Sequence, residues 1–120
     1  MLPARNRMRR SAEFDLTVKG GVRAGQPDLV IHARRQGVQG FEGASQIGLI
    51  VPKSVGGAVD RHRVARRIRH AARSVLTELD PADRIVIRAL PSSRDAAASR
   101  LESQLRAGIR RVHGLIERSR

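Results

Sequence analysis

The sequence predicts an α+β domain, a two-layer α/β sandwich in which a small, mostly antiparallel sheet carries helices. Three observations predict it. Short apolar runs of strand length (29–33, 47–51 and 84–90) alternate with two longer stretches of helical period (59–79, and from Ser92 to about Leu115). The 120 residues contain no internal repeat, low-complexity linker or composition break, so one domain is expected over 1–120, with a folded core at about 5–113 and frayed termini. Hydrophobic residues make up 40% of the chain, and a chain this size buries roughly two-thirds of its unfolded surface.

The elements follow in order. Ser11 reads as the N-cap of a short helix, Ala12 to Val18, closed by Gly20-Gly21. Two or three strands are expected next. Leu29-Val-Ile-His-Ala33 reads as a buried strand. After a loop with Gly37, Gly40 and Gly43, the alternation of Ile47, Leu49 and Val51 gives another, ended by Pro52 and Gly56-Gly57. Residues 59–79 form a helix, and Asp80-Pro-Ala-Asp83 a turn whose two carboxylates read as turn formers and helix-end charges. Residues 84–90 form a strand. Ser92 with Asp95 fits a capping box opening the last helix, whose stripe of Ala97, Leu101, Leu105, Ile109 and Val112 covers the sheet.

Charge narrows the function. Twenty-two Arg and 2 Lys against 11 acidic residues give +13. Residues 1–10 carry +4, from Arg5, Arg7, Arg9 and Arg10; residues 60–73 carry +5 and residues 94–120 carry +4, around a nearly neutral remainder. Such a field attracts nucleic acid, an anionic membrane or an acidic protein. GC-rich coding accounts for most of the Arg:Lys ratio but not for the net charge. The absence of Cys excludes a disulfide scaffold, thiolate zinc sites and a Cys nucleophile. The apolar runs are too short to span a bilayer, and the N-terminus lacks the apolar segment of a signal peptide. A soluble, cytoplasmic protein with a strongly anionic partner is expected, with no membrane and no obligate protein partner.

The segment Asp60-Arg-His-Arg-Val-Ala-Arg-Arg-Ile-Arg-His-Ala-Ala-Arg73 is the most informative. At about 100° per residue, Val64, Ile68, Ala71, Ala72, Val75, Leu76 and Leu79 share one arc. His62, Arg63, Arg66, Arg67, Arg69, His70 and Arg73 share the opposite arc, and Arg61 falls in the first turn, where a side chain can point past the helix end. Like charges at i,i+3 and i,i+4 each cost a few tenths of a kcal/mol, and Asp60 and Glu78 lie only at the two ends. A merely solvated face mixes signs, and an interfacial membrane helix wants Trp, Phe or Leu bulk on its apolar side. Phosphates supplying the missing charge explain this face better than either. Charge reversal of Arg66 and Arg67 together is expected to weaken binding of a phosphate polyanion and leave the fold intact.

Arg61-His-Arg-Val-Ala-Arg-Arg-Ile-Arg69 resembles the Arg-Asn-Arg-hydrophobic-Lys-Arg-x-hydrophobic-Arg signature of the bacterial ribonuclease P protein family. Arg5-Asn-Arg-Met-Arg-Arg10, followed by Glu13-Phe14 and Lys19-Gly20, is similar to the family's N-terminal pattern. Ile47-Gly-Leu-Ile-Val-Pro-Lys-Ser-Val-Gly-Gly-Ala-Val59 is similar to its second strand and the turn into the signature helix, and Ile85-Val-Ile-Arg88 to its last strand. The resemblance covers roughly 5–113. It departs at His62, where the family has Asn, at Ala65, where it has Lys, at Ser54, where it has the second of two Lys, and at Val18, where an aromatic is usual.

The resemblance implies a left-handed βαβ crossover, against the strong right-handed preference of such units. It implies that an RNA subunit performs the hydrolysis with Mg²⁺, while the protein binds that RNA and the single-stranded 5′ leader of precursor tRNA. The protein then belongs to an endoribonuclease but holds no catalytic residue. The catalytic RNA falls to Arg61, His62, Arg63, Arg66, Arg67, Arg69 and Arg73, the leader cleft to Phe14, Val18, Lys19, Val51 and Lys53, and further contacts to Arg5, Arg7, Arg9 and Arg10. Phe14 and Phe41 are the only aromatic residues. Among the sheet residues considered for the cleft, Leu29, Ile31, Ile50 and Val51 read better as core.

No other chemistry stands out. His32, His62, His70 and His113 lack metal-ligand spacing, and Gly20-Gly-Val-Arg-Ala-Gly25 lacks the ending of a P-loop. No metal is expected on the protein itself. Two alternatives remain: a structural RNA binder such as a ribosomal protein, and a double-stranded DNA binder. The second would want base-reading Asn or Gln on the basic face, which has neither.

Overall fold

The computed structural model describes residues 2–37 and 43–119. Gly40 and Phe41 of the glycine-rich loop and Arg120 at the C-terminus lie outside the described residues. The regular elements are α1 (Ser11–Gly20), β1 (Val22–Gly25), β2 (Leu29–Arg35), β3 (Gln46–Ile50), α2 (Ala58–Val75), β4 (Asp83–Ala89) and α3 (Ala98–Arg118). The strands make one sheet in the order β1-β2-β4-β3. The β1–β2 and β2–β4 pairs are antiparallel, and β3 runs parallel to β4. A parallel pair needs a crossover, which α2 provides.

Alternation along the strands sorts the two faces. Leu29, Ile31 and Ala33 of β2 stand in register with Ala89, Ile87 and Ile85 of β4, and Ile47 with Ile85. These residues are buried under α2 and α3, which contribute Val64, Ile68, Ala71, Ala72 and Val75, and Leu101, Leu105, Ile109 and Val112. A Cβ at Gly108 would lie 2.6 Å from Ile31 Cδ1, so the glycine sets how closely α3 rests on the sheet. The opposite face carries Val30, His32, Arg34, Arg84, Val86, Arg88, Gly48 and Ile50. The ten-residue α1 lies across part of it.

β1 is the third of the two or three strands expected after the first helix, short and with only Ala24 buried. Three expectations change. Ser11 is the first residue of α1 and makes no side-chain cap; Arg10 holds the N-cap position, its carbonyl accepting from the amides of Glu13 and Phe14. Ser92 and Asp95 form no capping box. Pro91–Asp95 is a 3₁₀ turn, the Ser92 hydroxyl donates to the Pro27 carbonyl (3.2 Å), and α3 starts at Ala98. The basic helix ends at Val75 and continues as a 3₁₀ turn, Leu76–Glu78.

Asp83 is also more than a turn former. Its carboxylate is wholly buried and accepts from Arg35 Nε (2.9 Å) and the Asp80 amide (2.9 Å), with His113 Nε2 at 2.7 Å. It ties β2 and the end of α3 to the start of β4. Asp80 does make the turn, its carboxylate accepting from the Ala82 amide. Removing one member of a buried charged cluster strands the others. Asp83→Ala is therefore expected to lower unfolding free energy in urea by about 3 kcal/mol; a loss well under 1 kcal/mol would show that the cluster contributes little.

Candidate nucleic-acid interface

The site is built from three adjoining parts: the outer face of α2, a groove along the edge of β3, and the N-terminal arginines. Burial of Val64, Ile68, Ala71, Ala72 and Val75 fixes the roll of α2. His62, Arg63, Arg66, Arg69, His70 and Arg73 are consequently exposed, and Ala65 is half-buried beside them. Asp60 Oδ1 is 4.0 Å from Arg63 Nη1, and Glu78 is engaged by Arg106 of α3.

Arg61 and Arg67 differ from the rest. Arg61 reaches back past the helix start, its Nε donating to the Val51 carbonyl (3.0 Å). Arg67 Nη1 donates to the carbonyls of Arg94 (3.1 Å) and Ala96 (3.3 Å), holding the turn before α3 against α2. Charge reversal at Arg67 would thus disturb the fold as well as the face. Arg66 and Arg73 are the cleaner probes.

Beside α2 runs β3, the last strand of the sheet. The N-terminal segment lies along its outer edge: the Met8 amide donates to the Ile47 carbonyl (2.9 Å), and buried Asn6 Nδ2 to the Ser45 carbonyl (2.8 Å). The groove is lined by Met8, Phe14, Gly48, Leu49 and Arg69, and continues past Leu49 and Val51 to Arg61, His62 and Arg69. Gly48 makes room for the aromatic ring, since a Cβ there would lie 2.4 Å from Phe14 Cε1 and Cζ. Val18 is half-buried one turn beyond Phe14, and Lys19 is exposed at the end of α1. Val51 packs against the core and lines the α2 side of the groove. Lys53 is exposed in the 3₁₀ turn between β3 and α2.

The exposed Arg5, Arg7, Arg9 and Arg10 surround a cavity of about 300 Å³ at the start of α1, with Glu13, Gln46 and Arg84. Arg7 borders both this cavity and the groove. The three basic parts therefore adjoin.

Sequence reasoning missed the part of the sheet face beyond α1. Register puts Val30, Arg88 and Ile50 in one row, and Arg23 beside His32 in the next. Arg23 and Arg88 are exposed, and Val30 and Ile50 half-buried. Leu29 and Ile31 are core, as expected, but Ile50 is not: its register with Arg88 turns it to the open face. The alternation of Arg84, Val86 and Arg88 with Ile85, Ile87 and Ala89 was the available signal. His32 is 6% exposed, and its Nδ1 has no hydrogen-bond partner among the described residues. Burial first, then the charges of Arg23 and Arg88, holds its pKa below the usual 6.5. Among the described residues no group of three or more His, Asp or Glu converges in a way that would hold a metal ion, and no helix is long and apolar enough to cross a membrane.

Because His32 resists protonation when folded, the unfolded chain binds the extra proton first. Stability is expected to fall as pH drops from about 6.5 toward the lower folded value. His32→Gln should flatten that part of a urea-midpoint profile between about pH 7 and pH 5.5. Equal slopes for the two proteins would refute this.

Comparison with known proteins agrees with this architecture. The family model described as Ribonuclease P matches residues 2–113. The ribonuclease P protein component of Mycobacterium ulcerans is 60% identical over 112 residues, covering 93% of each chain. That of Mycobacterium avium is 58% identical over 113 residues, 93% of this chain and 95% of the relative. The fold is shared with the RNase P protein of Staphylococcus aureus (TM-score 0.72, 21% identity, 88% of this chain and 93% of that one) and of Thermotoga maritima (TM-score 0.72, 20% identity, 86% and 94%). With the family matched over nearly the whole chain, and relatives this similar over 93% or more of their length, the chain belongs to the ribonuclease P protein family.

Proposed function

We propose that this chain is the protein component of a ribonuclease P holoenzyme, assisting the endonucleolytic removal of the 5′ leader of precursor tRNA by binding two RNAs at once. The observation that carries this reading is the unbalanced face of α2 bordering a groove floored by Gly48 and the Phe14 ring. Exposed Arg63, Arg66, Arg69 and Arg73, with His62, meet phosphates of the RNA subunit through charge-assisted bonds. Arg61 and Arg67 add their remaining N–H donors. Arg5, Arg7, Arg9 and Arg10 extend the same contact around the start of α1.

The leader lies along the groove. A base freed from its stack meets the Phe14 ring, a contact worth about 1–3 kcal/mol where it forms. Val18 extends the apolar wall, Val51 shapes the far side, and Lys19 and Lys53 face the backbone. Arg23 and Arg88 add charge on the open sheet face, and His32, neutral near pH 7, adds none there.

Hydrolysis belongs to the RNA subunit in this reading, with Mg²⁺ held by RNA oxygens. Glu13, Asp28, Asp83 and Glu78 are engaged by Arg34, Arg100, Arg35 and Arg106, and among the described residues no group of three or more acidic or histidine side chains converges to hold the ion. The chain's task is binding, orientation and charge neutralisation.

Arg66→Glu combined with Arg73→Glu is expected to weaken binding to a bacterial ribonuclease P RNA by about tenfold or more, and to reduce the slope of log K against log salt by about 2. Far-ultraviolet circular dichroism should stay unchanged. Unaltered affinity and slope would remove α2 from the RNA contact.

A further inference from the structure

We propose that Arg34 is a positioning residue for the leader groove: it clamps α1 onto the open sheet face and so fixes where the Phe14 ring stands. This inference rests on the leader reading of the groove given above. Arg34 lies on β2, on the face that α1 crosses. Its Nη2 donates to Glu13 Oε2 at 2.5 Å, and its Nε to Thr17 Oγ1 at 3.3 Å. The two acceptors are one turn apart on α1, and the Thr17 hydroxyl donates in turn to the Glu13 carbonyl at 2.8 Å. A single guanidinium therefore grips two consecutive turns of a ten-residue helix, a length that is marginal without tertiary support.

Burial makes the grip effective. Thr17 is fully buried, and the Arg34 and Glu13 side chains are 18% and 26% exposed, so the pair is less screened than a surface pair. Glu13 also borders the same cavity as Arg84, which stands opposite Arg34 across the ladder. The carboxylate is thus bound to one guanidinium and lies in the field of a second, which favours α1 in the position that keeps it there. Phe14 adjoins Glu13 and contacts the sheet at Gly48, where the glycine leaves room for the ring edge. Glycine at 48 permits the ring position, and the clamp sets the rotation of α1 that brings the ring to it. Arg34 need not touch RNA to affect leader binding.

The test uses the holoenzyme reconstituted with a bacterial ribonuclease P RNA, and Arg34→Gln, Arg34→Lys, Phe14→Ala and the Phe14→Ala/Arg34→Gln double variant. Affinity is measured for precursor tRNA with a 5′ leader, for the same tRNA without it, and for the RNA subunit. Phe14→Ala and Arg34→Gln are each expected to weaken leader-bearing precursor by about tenfold, the change that loss of one stacked base produces. Leaderless tRNA and RNA-subunit affinities should not move, Arg34→Lys should recover part of the loss, and the double variant should lose no more than either single one. Additive losses would overturn the proposal, as would equal loss with leaderless tRNA. If Phe14→Ala weakens binding while Arg34→Gln does not, the clamp fails and the groove stands. If Phe14→Ala itself changes nothing, the leader reading falls and the clamp's role falls with it.

Discussion

Parallel pairing of β3 with β4 is the constraint on which the interface depends. Two neighbouring parallel strands cannot be joined by a hairpin, so the chain between them must return across the sheet. That return is α2, and its apolar side is fixed against the layer it shares with α3. Once Val64, Ile68, Ala71, Ala72 and Val75 face inward, helical geometry leaves His62, Arg63, Arg66, Arg69, His70 and Arg73 outside. The same pairing puts β3 at the end of the sheet, where the N-terminal segment and Phe14 reach it from one side and Arg69 from the other. Basic helix and aromatic groove are neighbours because one topological unit makes both.

The distribution of negative charge sharpens this arrangement. Glu13, Asp28, Asp83 and Glu78 are engaged with arginines that hold the fold together, and Asp60 stands at the start of the basic helix. The structural arginines are thus neutralised internally, while most of the α2 face keeps its charge. Repulsion along that face costs a few tenths of a kcal/mol per close pair, an amount the buried side of the helix readily offsets. A polyanion removes the cost when it binds, which suits the RNA contact proposed for this face.

Much of this was legible in the sequence, for reasons that differ by element. The inward and outward arcs of α2 follow from a strict helical period, and Leu29, Ile31, Ile85 and Ile87 announce a buried strand pair by composition. The open sheet face was not legible, because placing Val30, Arg88 and Ile50 in one row requires the pairing register. Nor could local patterns separate Arg61 and Arg67 from their neighbours: their carbonyl partners lie on segments about 10 and 27–29 residues away. Ser92 misled because its hydroxyl finds the Pro27 carbonyl, 65 positions distant. Gly48 looked like an ordinary strand residue until α1 lay above it. Gly48, Asp83 and Arg34 take their roles from partners distant in the sequence, which no local pattern displays.

The most direct test of the central claim is cleavage of a precursor tRNA by a bacterial ribonuclease P RNA at low Mg²⁺, with and without this protein. At low Mg²⁺ the RNA alone lacks the counter-charge that the basic surface would supply. Accurate maturation of the 5′ end that appears only when the protein is added is the predicted result. Tight binding to the RNA with no stimulation of cleavage would contradict the account and leave the basic helix as a phosphate-binding surface alone.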